Sequence, residues 1–322
     1  MESKLAPIVL FVYNRPWHTE QALEALAQNE EARESVLYIY ADGPKQKIIF
    51  EEIKKIEETR RIIKLKKWCK EVYIIESEIN KGLANSVITA TTAIVNQYGS
   101  VITLEDDVVV SNYFLKFMNK ALQLYESNQK IWMISGFYWP IKSIQKQQSF
   151  FLPFSSTQAW GTWKRAWDMF DPLAKGYEKM KISSSLKKKF NLNDCYDFAE
   201  MLFMQMETKQ IDSWAVRFWW SLFQNKGLVL FPDKSLIKNI GWDGSGTHCG
   251  TENFFEDAFW DKNYQVVKFP AKLKISQKNF RLVKVFHKKI SHPETVTIKN
   301  KILGFLIQIK EKWINFIIKE RV

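Results

Sequence analysis

The sequence predicts an α/β protein whose mainly parallel sheet is sandwiched between helices. Two observations carry this. Four short apolar runs occupy the first 110 residues, and three of them are followed by a segment with helical spacing. Strands of a parallel sheet are buried on both faces and so appear as unbroken apolar runs, and alternation with helices is the pattern of a βαβ fold. The second observation is that each run, or the loop after it, ends in polar residues: Asn14-Arg15, Asp42-Gly43, the Asn80-Lys81-Gly82 loop and Glu105-Asp106-Asp107. The carboxyl ends of the strands are where such sheets bind ligands.

The elements follow in order. Residues 6–13 (APIVLFVY) form the first strand, stopped at Asn14-Arg15-Pro16. Residues 17–28 place Ala22, Leu23, Leu26 and Ala27 on one helical face. Residues 35–41 form the second strand, ended by the turn Asp42-Gly43-Pro44. Residues 46–70 are charged, with apolar residues at helical intervals. Residues 72–76 form the third strand, followed by a loop at 77–82 and a helix over 83–97. Residues 101–104 form the fourth strand and run into the acidic triplet. From 111 the repeat dissolves. A helix near 111–126, a strand at 131–135, an aromatic loop region at 137–172, helices at 194–208 and 212–226 and a strand near 228–231 lead into the glycine-rich loop 240–253. Residues 261–292 are basic and alternate weakly, and 298–319 have the spacing of an amphipathic helix. The chain thus divides into regions 1–110, 111–260 and 261–322.

Composition narrows the classes. Of 322 residues, 46% are hydrophobic and 25% charged, which suits a globular chain with a sizeable core and excludes disorder, collagen and coiled coil. The three cysteines, Cys69, Cys195 and Cys249, show no CxxC spacing, so neither a disulfide framework nor a cysteine zinc site is expected, and a cytoplasmic location fits. No signal peptide is expected at the N-terminus, and no uncharged apolar run reaches the roughly 18 residues a membrane span needs. The net charge of +12 lies almost wholly in the last 62 residues, which carry +11 against +1 for residues 1–260. A broadly basic nucleic-acid groove is therefore not expected in the body. The basic tail carries Ile302, Phe305, Leu306, Ile309, Trp313, Phe316 and Ile317 on one face, which suits peripheral contact with an anionic bilayer; a helix packed on the domain is the alternative.

The chemistry concentrates at Glu105-Asp106-Asp107. Three adjacent carboxylates at a strand end repel one another unless a cation or hydrogen-bond donors satisfy them. A hard divalent ion, Mn²⁺ or Mg²⁺, with a phosphate-bearing ligand answers that need. A solvated acidic turn is the plain alternative.

The order strand–Asn-Arg-Pro, strand–Asp-Gly-Pro, Asn-Lys-Gly-Leu-Ala-Asn-Ser, strand–Glu-Asp-Asp resembles the nucleotide-sugar glycosyltransferases of the GT-A fold. It is similar to bacterial family-two-like enzymes and their relatives of the N-acetylglucosaminyltransferase I type. The resemblance runs from about residue 6 to about 250, through Trp160-Gly161-Thr162-Trp163, Asp212-Ser213-Trp214 and Gly244-Ser245-Gly246-Thr247-His248. It implies a nucleotide-sugar-binding half at 1–110, an acceptor and catalytic half at 111–260 and a basic extension at 261–322. The donor, a UDP-sugar, would lie against Asn14, Arg15, Asp42, Asn80, Gly82, Glu105 and Asp106, with Asp42 at the nucleobase. Asp107 would bind the metal and His248 would complete the site or meet the diphosphate. Cys249 is set aside, because a hard ion prefers oxygen.

An inverting transfer needs one general base, and Asp212 is the candidate; its rival role is a helix N-cap. The neighbouring Trp214 is expected to desolvate it. Glu256 and Asp257 are reserves, with Asp168 and Asp171 behind them. Trp160 and Trp163, flanking Gly161, are acceptor-platform candidates, with core packing as the alternative. The function expected is a metal-dependent glycosyltransferase acting on a glycan or lipid-linked glycan in bacterial surface polysaccharide synthesis, at the inner face of the cell membrane. The rivals are a sugar-phosphate nucleotidyltransferase, whose glycine-rich loop after the first strand is missing here, and a non-catalytic glycan or nucleic-acid binder.

Overall fold

The structure, a computed structural model, describes residues 5–141, 146–245 and 260–291. The predicted βαβ alternation forms: β1 (Ile8–Val12), α1 (Pro16–Ala27), β2 (Val36–Ala41), α2 (Phe50–Ile63), β3 (Glu71–Glu76), α3 (Leu83–Tyr98) and β4 (Ser100–Glu105). Strand β1 is buried at every position, as its unbroken apolar run requires. It pairs in parallel with β2 on one side and β4 on the other, and β2 pairs in parallel with β3.

The second region adds β5 (Val108–Val110), α4 (Phe114–Leu124), β6 (Ile131–Ser135), β7 (Phe150–Leu152) and β8 (Ala159–Trp163). Short helices α5 (Lys164–Trp167), α6 (Lys179–Ile182), α7 (Ser184–Phe190) and α8 (Phe198–Phe203) follow. Then come one π-helical turn (Met204–Thr208), α9 (Trp214–Gln224), β9 (Leu228–Phe231), β10 (Ile237–Asn239) and α10 (Gln277–Ser291). The strands form one eight-stranded sheet in the order β3-β2-β1-β4-β8-β6-β9-β7 and a small β10-β5 ladder. Strand β8 runs antiparallel between β4 and β6, and β7 runs antiparallel to β9, while β6 and β9 are parallel. One continuous sheet therefore joins residues on both sides of position 110.

Three local expectations are corrected. The aromatic stretch 137–172 holds two strands, β7 and β8, where a loop was expected. Its β8 residues, Ala-Trp-Gly-Thr-Trp, are buried throughout, so no polar alternation marks the strand. The basic stretch 261–292 ends in a helix, α10, whose Asn279, Val283 and His287 are buried at helical spacing while Lys278, Arg281, Lys288 and Lys289 are exposed. The expected helix at 194–208 is interrupted: α8 gives way to the π-turn after Phe203. The amphipathic segment 298–319 lies outside the described residues. No described helix is long and apolar enough to cross a membrane.

Candidate functional site

A cavity of about 430 Å³ opens at the carboxyl ends of β1, β2 and β4. Its wall includes Asn14, Arg15, Asp42, Asn80, Gly82, Glu105 and Asp106, together with Asp212 from the opposite region of the chain. Seven donor-site candidates and the base candidate are thus gathered at one place.

Arg15 is the electrostatic centre. It stands just before α1, where Pro16 opens the helix, and its guanidinium turns to the end of β4. Nη1 donates to Asp107 Oδ2 at 3.0 Å, and Nη2 donates to Asp106 Oδ1. Both carboxylates are nearly fully buried. Burial works against a charged Arg15, but Asp106 and Asp107 outweigh it and hold the guanidinium well above its ordinary range. The expected repulsion within the triplet is therefore answered first by a protein cation. Glu105 is left over: burial, then Asp107 and Asp106, push its carboxyl up to about 8, with Arg15 pulling the other way. Burial also lifts Asp106, against the opposing Arg15.

Asp42 is fully engaged by backbone. Its Oδ1 accepts from Gly43 N at 2.9 Å and Lys81 N at 2.8 Å, and its Oδ2 accepts from Gly82 N at 3.0 Å. Asn80 Nδ2 donates to Gly43 O at 2.9 Å. Asp42 thereby ties the loop after β2 to the loop before α3. A side chain at Gly43 would place its Cβ 2.5 Å from the Ile79 carbonyl carbon, so the two loops fit together only with glycine there. Asn14 is held from behind, its Nδ2 donating to Glu52 Oε2 of α2.

The acidic triplet is covered by the loop after β10. Ile240 N donates to Asp107 O at 2.8 Å, and a Cβ at Gly241 would lie 2.3 Å from Asp107 Oδ2. On the same loop, Asp243 Oδ2 lies 3.1 Å from His18 Nε2. Asp107 consequently does not line the cavity, whereas Ser245 does. Among the described residues no three His, Cys, Asp or Glu side chains surround a common point. Hard divalent ions nonetheless often take only one or two protein oxygens and complete their shell with water and phosphate. The three carboxylates outnumber the one guanidinium that faces them, and their oxygen chemistry suits Mg²⁺ or Mn²⁺. Asp107, expected as the metal ligand, is held by Arg15 and turned from the cavity, so the oxygens of the triplet that an ion in the cavity would meet are those of Asp106 and Glu105. His248 lies outside the described residues, as do Glu256 and Asp257.

Asp212 reaches the cavity from the segment between the π-turn and α9. Its Oδ2 sits 3.5 Å from where a Cβ on Gly82 would be, and Gly82 has φ of +77°. Glycine is favoured at 82 by that left-handed backbone, and a Cβ there would meet Asp212 only in ordinary contact. Two expectations change here. Ser213, not Asp212, caps α9, its Oγ accepting from Val216 N at 3.4 Å. Trp214 turns into the core, 4.9 Å from Trp160, leaving Asp212 exposed with Arg217 Nη2 at 3.5 Å. The desolvation expected from Trp214 is absent.

Trp160 and Trp163 are corrected from acceptor platform to core. They are 2% and 3% exposed, so neither offers a face to a sugar. Trp160 stacks on Trp167, and Trp163 donates its indole N–H to Leu122 O at 3.0 Å. Gly161 is needed for a different approach: a Cβ there would meet Met118 at 3.0 Å and Val101 O at 3.1 Å, so it lets α4 pack on the sheet. Asp168 is paired with Lys164 on the surface and Asp171 accepts from Leu173 and Lys175 within a turn, so neither belongs to the cavity. Sequence reasoning missed Tyr13, Tyr40, Lys45 and Lys209 on the cavity wall. Tyr13 and Lys45 adjoin the polar strand ends already singled out, which is a usable signal; Lys209 carried none.

No protein family and no curated protein matches the chain. Among solved structures, mouse xyloside xylosyltransferase 1 in its apo form aligns at 10% identity and TM-score 0.32, over 62% of this chain and 82% of that one. A UDP-glucose pyrophosphorylase complexed with UDP-glucose aligns at 10% identity and TM-score 0.35, over 73% and 92%. S. aureus TarS aligns at 13% identity and TM-score 0.35, over 74% of this chain but 37% of that one. Likenesses this faint carry no argument; the fold stands on the sheet described above, and the site on its own geometry.

Proposed function

We propose that the protein is a glycosyltransferase that moves a sugar from a nucleotide-sugar, a UDP-sugar, to a hydroxyl of a glycan or lipid-linked glycan with inversion. The observation that supports it is that one cavity at the strand ends is lined by Asn14, Arg15, Asp42, Asn80, Gly82, Glu105, Asp106 and Asp212. Chain segments from Asn14 to Asp212 supply them.

In this reading the Asp42-braced loops form the wall for the nucleoside, and Arg15 with the triplet faces the diphosphate. Glu105, whose carboxyl holds its proton up to about pH 8, is able to donate a hydrogen bond to a sugar oxygen. Asp212 accepts the proton of the acceptor hydroxyl as its oxygen attacks the anomeric carbon; the bond to the diphosphate oxygen breaks, and the diphosphate leaves with the electron pair. A divalent ion held at Asp106, a carboxylate of the triplet that lines the cavity, would supply Lewis-acid neutralisation of the leaving diphosphate. The basic, amphipathic tail supports a peripheral membrane location and a part in surface polysaccharide synthesis, with hexose or N-acetylhexosamine as the moiety transferred.

The test is a thermal-shift screen of UDP-, GDP-, dTDP- and CMP-sugars, with and without Mn²⁺. A ligand at 100 times its Kd stabilises the native state by about 2.7 kcal/mol. A rise in Tm with UDP-sugars, followed by UDP release on adding acceptor, is expected. Absence of a shift with every nucleotide-sugar overturns the proposal. Transfer of the nucleotidyl group, with pyrophosphate as product, would favour the nucleotidyltransferase instead.

A further inference from the structure

Three described cations line the cavity: Arg15, Lys45 and Lys209. Arg15 is committed to Asp106 and Asp107. Lys55 first, then Asn14 and Lys45, hold the Glu52 carboxyl below its ordinary range, so Lys45 serves that carboxylate. Lys209 makes no ion pair within 4.0 Å among the described residues and stands on the stretch of cavity wall that also carries Asp212.

The backbone that carries Lys209 is built at a cost. The residue has φ 55° and ψ 25°, the left-handed region that lysine seldom adopts, and it ends the π-helical turn Met204–Thr208. Gln205 Oε1 accepts from Ser213 N, and Thr208 Oγ1 accepts from Gln210 N at 3.4 Å. These bonds close residues 205–213 into a bent loop, and its apex, Lys209 to Asp212, forms the cavity wall. Glycine would relieve the strain at 209 but would bring no charge. An ammonium on the cavity wall without a carboxylate partner is placed to meet an anion that enters the cavity.

We infer that Lys209 binds the diphosphate of the nucleotide-sugar at the mouth of this cavity, through its ammonium; this rests on the function proposed above. Arg15, spent on the triplet, leaves the phosphate oxygens in need of another donor. Lys209 stands three residues from Asp212, so one loop would present the base to the acceptor and the cation to the leaving group.

The experiment is calorimetric titration of the full chain with UDP, with inorganic pyrophosphate and with uridine, at 50 and 300 mM NaCl. The proteins are wild type, Lys209→Arg, Lys209→Ala and Lys209→Gly. Loss of a charge-assisted hydrogen bond to phosphate should weaken UDP and pyrophosphate about tenfold or more at low salt in the Ala and Gly variants. The Arg variant should stay within about threefold, and the gap should narrow at high salt. Uridine binding should be unchanged. Lys209→Gly should melt at or above the wild-type temperature, so its lost affinity is not unfolding. UDP and pyrophosphate bound by Lys209→Gly as tightly as by wild type would overturn the inference and leave the glycosyltransferase reading standing. Wild type that binds no UDP would overturn both.

Discussion

Replacing Arg15 by methionine tests the electrostatics on which the site is built. The guanidinium contacts two carboxylates, and the side chains of Arg15, Asp106 and Asp107 are 16%, 6% and 7% exposed. Methionine keeps much of the stem and removes the charge, so two buried anions lose their partner. Breaking a buried pair in this way costs about 3–5 kcal/mol. Unfolding entropy per residue puts the Tm change of a chain this long at roughly 1.5 °C per kcal/mol. A drop of roughly 4–8 °C at pH 7.5 is therefore expected by calorimetry. The pH dependence gives the sharper test. Without Arg15 the native carboxylates hold protons that the unfolded chain releases near pH 4, so the variant loses stability as pH rises above that value. Glu105, raised to about 8, already gives the wild type the same sign of slope, with stability present below its unfolded pKa and lost as pH rises through 8. Subtracting the two curves removes that shared part. The difference between wild type and variant should shrink steadily from pH 7.5 to pH 5. The double variant Arg15→Met/Asp106→Asn should be less destabilised than the sum of its parts. A Tm loss under about 1 °C, or a difference independent of pH, would show that Arg15 is not the cation that answers the triplet.

Four further outcomes are expected. Asp212→Asn should lower kcat by about 10²–10⁴-fold with donor affinity retained, and near-wild-type turnover would remove Asp212 from the chemistry. Ser213→Ala, which deletes the cap of α9, should cost about 1 kcal/mol in denaturant unfolding while activity is kept; the reverse pattern would restore Asp212 as the structural residue. Trp160→Phe should leave the KM for acceptor within about twofold, because the indole packs against Trp167 and Trp214; a raised KM at unchanged Tm would return it to the acceptor site. His287 is buried among Trp139, Phe154 and Tyr196, and burial pushes its pKa down to about 4. The unfolded imidazole takes a proton near 6.5, so stability present above that pH should fall by about 3 kcal/mol on going to pH 4. His287→Leu should flatten that part of the curve, and an unchanged slope would count against the aromatic enclosure.

The amino-acid order by itself determined the parallel half of the fold. Strands β1 to β4 and the helices between them come within one or two residues of their expected bounds, apart from the looser bounds of α2, because a strand buried on both faces must be continuously apolar and its connecting helix must be amphipathic. The polar strand ends were legible for the same reason: a strand buried on both faces stops being apolar only where it leaves the sheet, at Asn14-Arg15, Asp42 and the triplet. Strand β8 was illegible, since a strand inserted between two others and buried on both faces has no polar alternation, and its tryptophans suit core and sugar platform equally. Burial alone separates those roles, and burial is a property of the packed whole. Tertiary structure likewise decided that Arg15 crosses 91 and 92 positions of sequence to Asp106 and Asp107, and that Asp42 spends its oxygens on Gly43, Lys81 and Gly82. It also decided that Ser213 takes the cap and leaves Asp212 to the cavity, and that Lys209 faces the same space. These are contests among neighbours for hydrogen bonds, charge and room, and a linear pattern does not record who the neighbours are.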